Sequence, residues 1–186
     1  MRKSPWIAAV TAVLAAGGTA SAHAAPSRWE ITSGTEEFSF EICGRDWTAV
    51  STFTERLKWR QPREAGAPRL QVAAYQYRVE FTADGVTLTT EGHGLFKDRR
   101  ATHVEGTVWQ FDVADLGVPY SLYDPDGRLL VRDRGVATSS FRVDTQGDVD
   151  LDNDVLVDEG PVLVEAGEFP SLTFDFCALI APYFDA

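Results

Sequence analysis

Past its first 24 residues the chain has no apolar run approaching the roughly 20 residues that a membrane-spanning helix needs, and no stretch with apolar residues at helical spacing. A helical membrane protein and a helical bundle are both excluded as expectations. There is no C-x-x-C pair, which argues against a redox motif or a zinc knuckle. G-x-S-x-G, S-x-x-K, H-E-x-x-H and a phosphate-binding glycine loop are absent too, and beyond residue 24 only His93 and His103 remain as histidines. No residue is therefore singled out as catalytic. Lysine is scarce: only Lys58 and Lys97 follow the leader, against thirteen arginines.

What is there begins with the leader itself. "MRKSPWIAAVTAVLAAGGTASAHAAP" sets Arg2 and Lys3 before an apolar run from Trp6 to Ala16, then small residues ending in Ala22-His23-Ala24. This is the three-part pattern of a secretory signal, so residues 1–24 are expected to be removed on export to the extracellular space. The 162 residues that follow suit one domain. Residues 25–36 are expected to be a flexible lead-in, and 37–186 a single all-β domain. Removing the leader takes away two of the seventeen basic residues and none of the twenty-eight acidic ones, leaving a net charge of −13. Such a surface disfavours nucleic acid and anionic membranes. A soluble monomer is expected.

The body of the chain alternates. In "EFSFEIC" Phe38, Phe40 and Ile42 share one face; in residues 46–59 Trp47, Ala49, Phe53, Leu57 and Trp59 do; and in "LQVAAYQYRVEFT" Tyr75, Tyr77, Val79 and Phe81 do. Period 2 is the signature of strands with one apolar face. "RQPREAGAPR" (60–69) breaks the pattern, and "ADG" (83–85) and "DPDG" (124–127) supply hairpin turns. Further strands are expected at 86–91, 104–113, 118–123, 128–134, 136–143, 155–158 and 161–166, and a last one in "LTFDFCALI", where Leu172, Phe174 and Phe176 line up. The sum is an antiparallel meander of 8–10 strands. A closed up-and-down barrel, lipocalin-like in shape, removes exposed edges and is preferred to a two-layer sandwich.

Two cysteines in an exported chain point to one disulfide, Cys43 to Cys177. Both fall opposite the aromatic row of their segments, as neighbouring first and last strands of a closed sheet would require.

Three features carry chemistry. "DTQGDVDLDNDVLVDEG" places Asp148, Asp150, Asp152, Asp154 and Glu159 at positions 1, 3, 5, 7 and 12 of a twelve-residue Ca²⁺ loop, although Asn153 stands where the turn glycine belongs and the flanks read as strands. A solvated acidic hairpin loop explains the same residues. "EGHGLFKDRRATHVE" would bring His93 opposite His103 if it folded about Asp98, but the apolar register differs from that pairing by one residue. Glu55 falls between Phe53 and Leu57 on an apolar face, where it could orient a ligand or simply reach water at a rim. With Trp47, Phe53, Tyr75, Tyr77, Trp109 and Phe111 it would line a cavity, or those rings are ordinary β core.

With "FEICG", "YDPDGRLLVRDRG", "VDTQGDVDLDND" and a closing "FDFCALI", the sequence resembles a group of secreted proteins of high-GC Gram-positive bacteria. The resemblance implies a single exported β-domain with one early and one late cysteine and a hairpin ahead of an Asp-rich loop; it assigns no activity and no site residue. Two functions are thus expected: a non-enzymatic extracellular module holding a small apolar molecule, or a solid-core interaction protein meeting an extracellular partner through loops 60–69 and 144–154. A barrel-type isomerase or hydrolase has less behind it. No cofactor beyond Ca²⁺ is called for. A hollow interior of about 300 Å³ or more would favour the first reading, a filled one the second.

Overall fold

The computed structural model describes residues 28–60, 67–148 and 151–184. Nine strands form one antiparallel sheet: β1 (Glu30–Ile42), β2 (Arg45–Arg60), β3 (Leu70–Ala83), β4 (Val86–Glu105), β5 (Val108–Tyr123), β6 (Leu129–Arg132), β7 (Arg134–Asp144), β8 (Val155–Glu159) and β9 (Leu163–Glu168). Their order is β1-β2-β3-β4-β5-β7, with β6 beside the end of β5 and both β8 and β9 on the far side of β7. The meander is the one expected, curled into a half-barrel. It does not run full circle: among the described residues β1 pairs only with β2, and β8 and β9 pair only with β7.

The curl has a visible cause. The registers align Gly94 with Gly117, Gly117 with Gly135, and Gly135 with Gly167, a row of four glycines crossing β4, β5, β7 and β9. A Cβ on Gly135 would lie 2.0 Å from the Ala166 carbonyl oxygen, and one on Gly167 would lie 2.0 Å from that of Arg134. The strands touch backbone to backbone along this line, and Gly135 sits at φ +133°, which side-chain-bearing residues rarely adopt.

The apolar residues of the concave face gather on either side of that line. One cluster holds Trp47, Ala49, Phe81, Leu88, Leu122 and Val131, capped by the C-terminal segment through Phe176 and Ile180. The other holds Trp109, Phe111, Val113 and Val143, with Phe96 and Phe141 packed against it.

The segment "LTFDFCALI" is a cap and not the strand expected of it. It runs through a 3₁₀ turn at Pro170–Leu172 into helix α1 (Phe176–Ile180). Asp175 caps that helix by accepting from Ala178 N at 3.0 Å. Phe176 and Ile180, four apart, then face the core together. Two buried aspartates fasten the cap. Asp133 accepts from Ser171 N at 3.0 Å and from its hydroxyl, and Asp124 accepts from Tyr183 Oη at 3.1 Å. The disulfide between Cys43 and Cys177 is present. It joins the β1–β2 turn, where Cys43 has φ +58° ahead of Gly44 at +69°, to α1. It therefore ties a cap to a hairpin and not two strands to each other.

Two other expectations are corrected. Residues 30–36, expected to be a flexible lead-in, are the first half of β1 and pair with Leu57 to Ser51 of β2; as an edge strand exposed on both faces, they carry no alternation to read. The segment 92–103, where a turn about Asp98 was weighed, is continuous β4, and the true turn is at Gly106-Thr107.

Gly135→Ala is expected to lose about 3 kcal/mol or more in urea unfolding, whereas Gly127→Ala, with φ +78° and nothing within 4 Å of the added Cβ, should lose only about 1 kcal/mol. Equal losses would show that the glycine row is not under close contact. Reducing the disulfide, whose cysteines are 134 residues apart, should lower stability by up to about 5 kcal/mol by loop-closure entropy. A shift of Trp47 fluorescence toward that of a solvated indole should accompany it; an unchanged melting temperature would deny the cap its anchoring role.

Candidate functional site

Between the two apolar clusters the concave face is floored by tyrosines and carboxylates. Two cross-strand rows build it: Gly34, Phe53, Tyr77 and Gly92 in one, and Thr32, Glu55, Tyr75 and Gly94 in the other. A Cβ on Gly92 would stand 2.4 Å from Tyr77 Cε1, and one on Gly94 would stand 2.8 Å from Tyr75 Oη. The absent side chains are the space the rings occupy. Lying over the glycines, the rings reach β5, where Tyr75 Oη donates to Asp115 Oδ1 at 2.7 Å and Tyr77 Oη donates to the Pro119 carbonyl at 2.8 Å. Their centroids are 6.4 Å apart and nearly parallel.

Burial governs the electrostatics of this floor. It pushes the carboxyls of Glu55, Asp115 and Asp133 above the usual range. The Tyr75 and Tyr77 phenols are raised by burial first and then by the charge of Asp115. Glu55 Oε1 is shielded from solvent and has no hydrogen-bond partner among the described residues. Nearer the second cluster Asp98 is buried on β4 and accepts from Gln71 N at 2.6 Å. Burial lifts it to about 6, against the opposing pull of that hydrogen bond and of Arg60.

The seven residues expected to line a cavity do not surround one volume. Phe53, Glu55, Tyr75 and Tyr77 meet on the floor. Trp47 is fully buried at one end, with Phe81 at 5.1 Å and Phe184 at 5.6 Å. Trp109 and Phe111 belong to the other end, where Phe111 stacks on Phe141 at 5.3 Å. Two grooves lie elsewhere. One, of about 390 Å³, runs past Arg99, Asp112, Thr138, Leu163 and Glu165, with Arg99 and Glu165 joined by two hydrogen bonds of 2.7 and 2.8 Å. The other, of about 340 Å³, lies along Phe38 and Val50.

The acidic loop contains a 3₁₀ turn at Leu151–Asn153, and Asn153 Nδ2 donates to Asp148 Oδ2 at 3.0 Å. Asp150 lies outside the described residues. Glu159 is carried along β8 to a place opposite Phe141, four residues or roughly 13 Å beyond Val155 at the strand's start, and so does not join Asp148, Asp152 and Asp154. Among the described residues no three His, Cys, Asp or Glu side chains gather as a metal set. His93 and His103, which a turn at Asp98 would have paired, stand on one strand, about 33 Å apart at 3.3 Å per residue.

One further surface stands out. Val155, Leu156 and Val157 of β8 and Leu163 and Val164 of β9 are 45–59% exposed. No residue of either strand is buried on either face. The two strands are one edge, interrupted at Gly160-Pro161. Its exposure was hidden in a sequence that reads as ordinary buried β pattern. Compared with protein-family models, curated proteins and solved structures, the chain matches none.

Because Glu55, Asp98, Asp115 and Asp133 are raised in the folded state, the stability they confer is complete below their unfolded values and is lost as pH rises through the folded ones. Stability should therefore increase as pH falls from 7 to 5, by about 1 kcal/mol from Asp98 alone. The lowered groups, Asp112, Asp124, Asp144 and Glu165, titrate below this window. Asp98→Asn keeps an acceptor for Gln71 and should flatten the slope. An Asp98→Asn slope equal to that of the parent would refute the assignment.

Proposed function

We propose that the protein is an exported, non-catalytic interaction module that docks a partner along the open edge formed by β8 and β9. The observation that carries this reading is the edge itself: five large apolar side chains exposed on two strands that, among the described residues, have no neighbour on their outer side. An unpaired strand edge offers backbone donors and acceptors to an added strand, and the flanking side chains select it. The loop 144–154 leads directly into β8, so the outer-loop reading of the sequence and the edge reading concern one region.

The way the interior is filled supports the same choice. Aromatic clusters occupy both ends and tyrosines lie across the floor. A second reading, a small hydrogen-bonding ligand against Glu55, is favoured by its Oε1, which has no partner among the described residues; native mass spectrometry of the protein from its host would reveal such a ligand, and Glu55→Leu would lose it.

An isotope-labelled protein titrated with a neutral Thr-Thr-Val-Val-Thr-Thr-Val-Val peptide should show amide shifts confined to β7, β8 and β9. Shifts on β1 alone, or none at all with any extended peptide, would overturn edge docking.

A further inference from the structure

From Val143 to Ala186 the chain has eleven acidic residues and no lysine, arginine or histidine. The open edge lies within this stretch. Asp158 and Glu159, both exposed, have no ion pair among the described residues. Glu168 faces Arg134 only at 3.9 Å, and Glu165 is held by Arg99.

We infer that the docked segment is a basic extended strand that interleaves lysine or arginine with apolar residues on both of its faces. This rests on the edge-docking reading and adds the chemistry of the partner. Register supplies the pattern. Val155, Asp158 and Leu163 share the face of Asp144, Arg142 and Thr138, while Leu156, Glu159 and Val164 share the face of Val143, Phe141 and Ala137. Each face of the edge thus sets a carboxylate between apolar side chains. A strand lying beside it meets both kinds of neighbour on both faces, and cross-strand opposite charges stabilise while like charges repel.

A second copy of this chain is the wrong occupant. The other open edge, β1, carries Glu30, Glu36, Glu37 and Glu41, and residues 29–44 contain no basic side chain. Pairing either edge with itself or with the other would set carboxylates against carboxylates.

Two consecutive basic residues followed by two apolar ones give the required alternation on each face; strict alternation puts every charge on one face. The test is a binding titration of the full mature chain with Lys-Lys-Val-Val-Lys-Lys-Val-Val, with Lys-Val-Lys-Val-Lys-Val-Lys-Val of identical composition, and with the neutral Thr-Thr-Val-Val repeat. The first should bind at least tenfold tighter than either of the others. Its advantage should disappear in an Asp158→Lys, Glu159→Lys variant and persist in a Glu36→Lys, Glu37→Lys variant. Equal binding of the two lysine peptides would reduce the effect to net charge and overturn the inference. Equal binding of the neutral peptide would remove the basic partner while leaving edge docking intact. Failure of all three would remove edge docking as well. A dimer in sedimentation that competes with the peptide would make a second copy the occupant and overturn the inference.

Discussion

Everything in this fold follows from the line on which four strands touch without side chains between them. Gly94, Gly117, Gly135 and Gly167 let β4, β5, β7 and β9 approach more closely than any residue with a Cβ would permit. A sheet pinched along one line curls about it, so the concave face divides into two halves. Each half must be filled separately, which is why the aromatic residues form two clusters. The floor between them cannot be filled from the glycines, and Tyr75 and Tyr77 reach in from the neighbouring strand to cover it. Their hydroxyls then need acceptors on the strand beyond. Asp115 and the Pro119 carbonyl provide them.

A single curled sheet has no second layer, so one half of its concave face is covered by its own C-terminal segment. The α1 helix is five residues long and could not persist alone. It is held from three directions: by the disulfide to the β1–β2 turn, by Asp133 through Ser171, and by Asp124 through Tyr183. Burying carboxylates to fasten a cap costs solvation, which is the origin of the raised Asp133 carboxyl. The same cost recurs at Glu55, Asp98 and Asp115, so ionising each of these carboxyls costs more in the folded chain than in water.

The sequence made the strands and the fold class legible wherever one face is apolar and the other polar. Trp47 to Leu57 and Tyr75 to Phe81 are read correctly, as are the Asp84-Gly85 and "DPDG" turns, because these depend on neighbours within a few residues. The failures have a common physical form. The first half of β1 has no buried face and hence no period. The end of the chain obeys two periods at once, since Phe174 and Phe176 suggest a strand while Phe176 and Ile180 suit a helical turn; the Asp175 cap decides it. The floor was half legible. Parity put Phe53, Glu55, Tyr75 and Tyr77 on one face, but the acceptor of Tyr75 lies 40 residues along the chain, and the role of Gly92 and Gly94 emerges only once the register is known.

An open sheet ordinarily invites its own copies. Here each edge carries obstacles: Pro161 and the irregularities beside Val157 and Glu165 break the line of β8 and β9 along β7, while carboxylates line both edges. Proline, bulges and charge are the means by which edge strands resist aggregation. Only charge discriminates by sign, since proline and bulges impede every added strand alike. If protection were the sole constraint, the five apolar side chains beside those carboxylates would be a liability with no compensating use, because polar residues at the same positions would protect better. Their presence next to Asp158 and Glu159, which have no ion pair among the described residues, is what a surface requires when it must refuse its own acidic edges and still accept a basic strand.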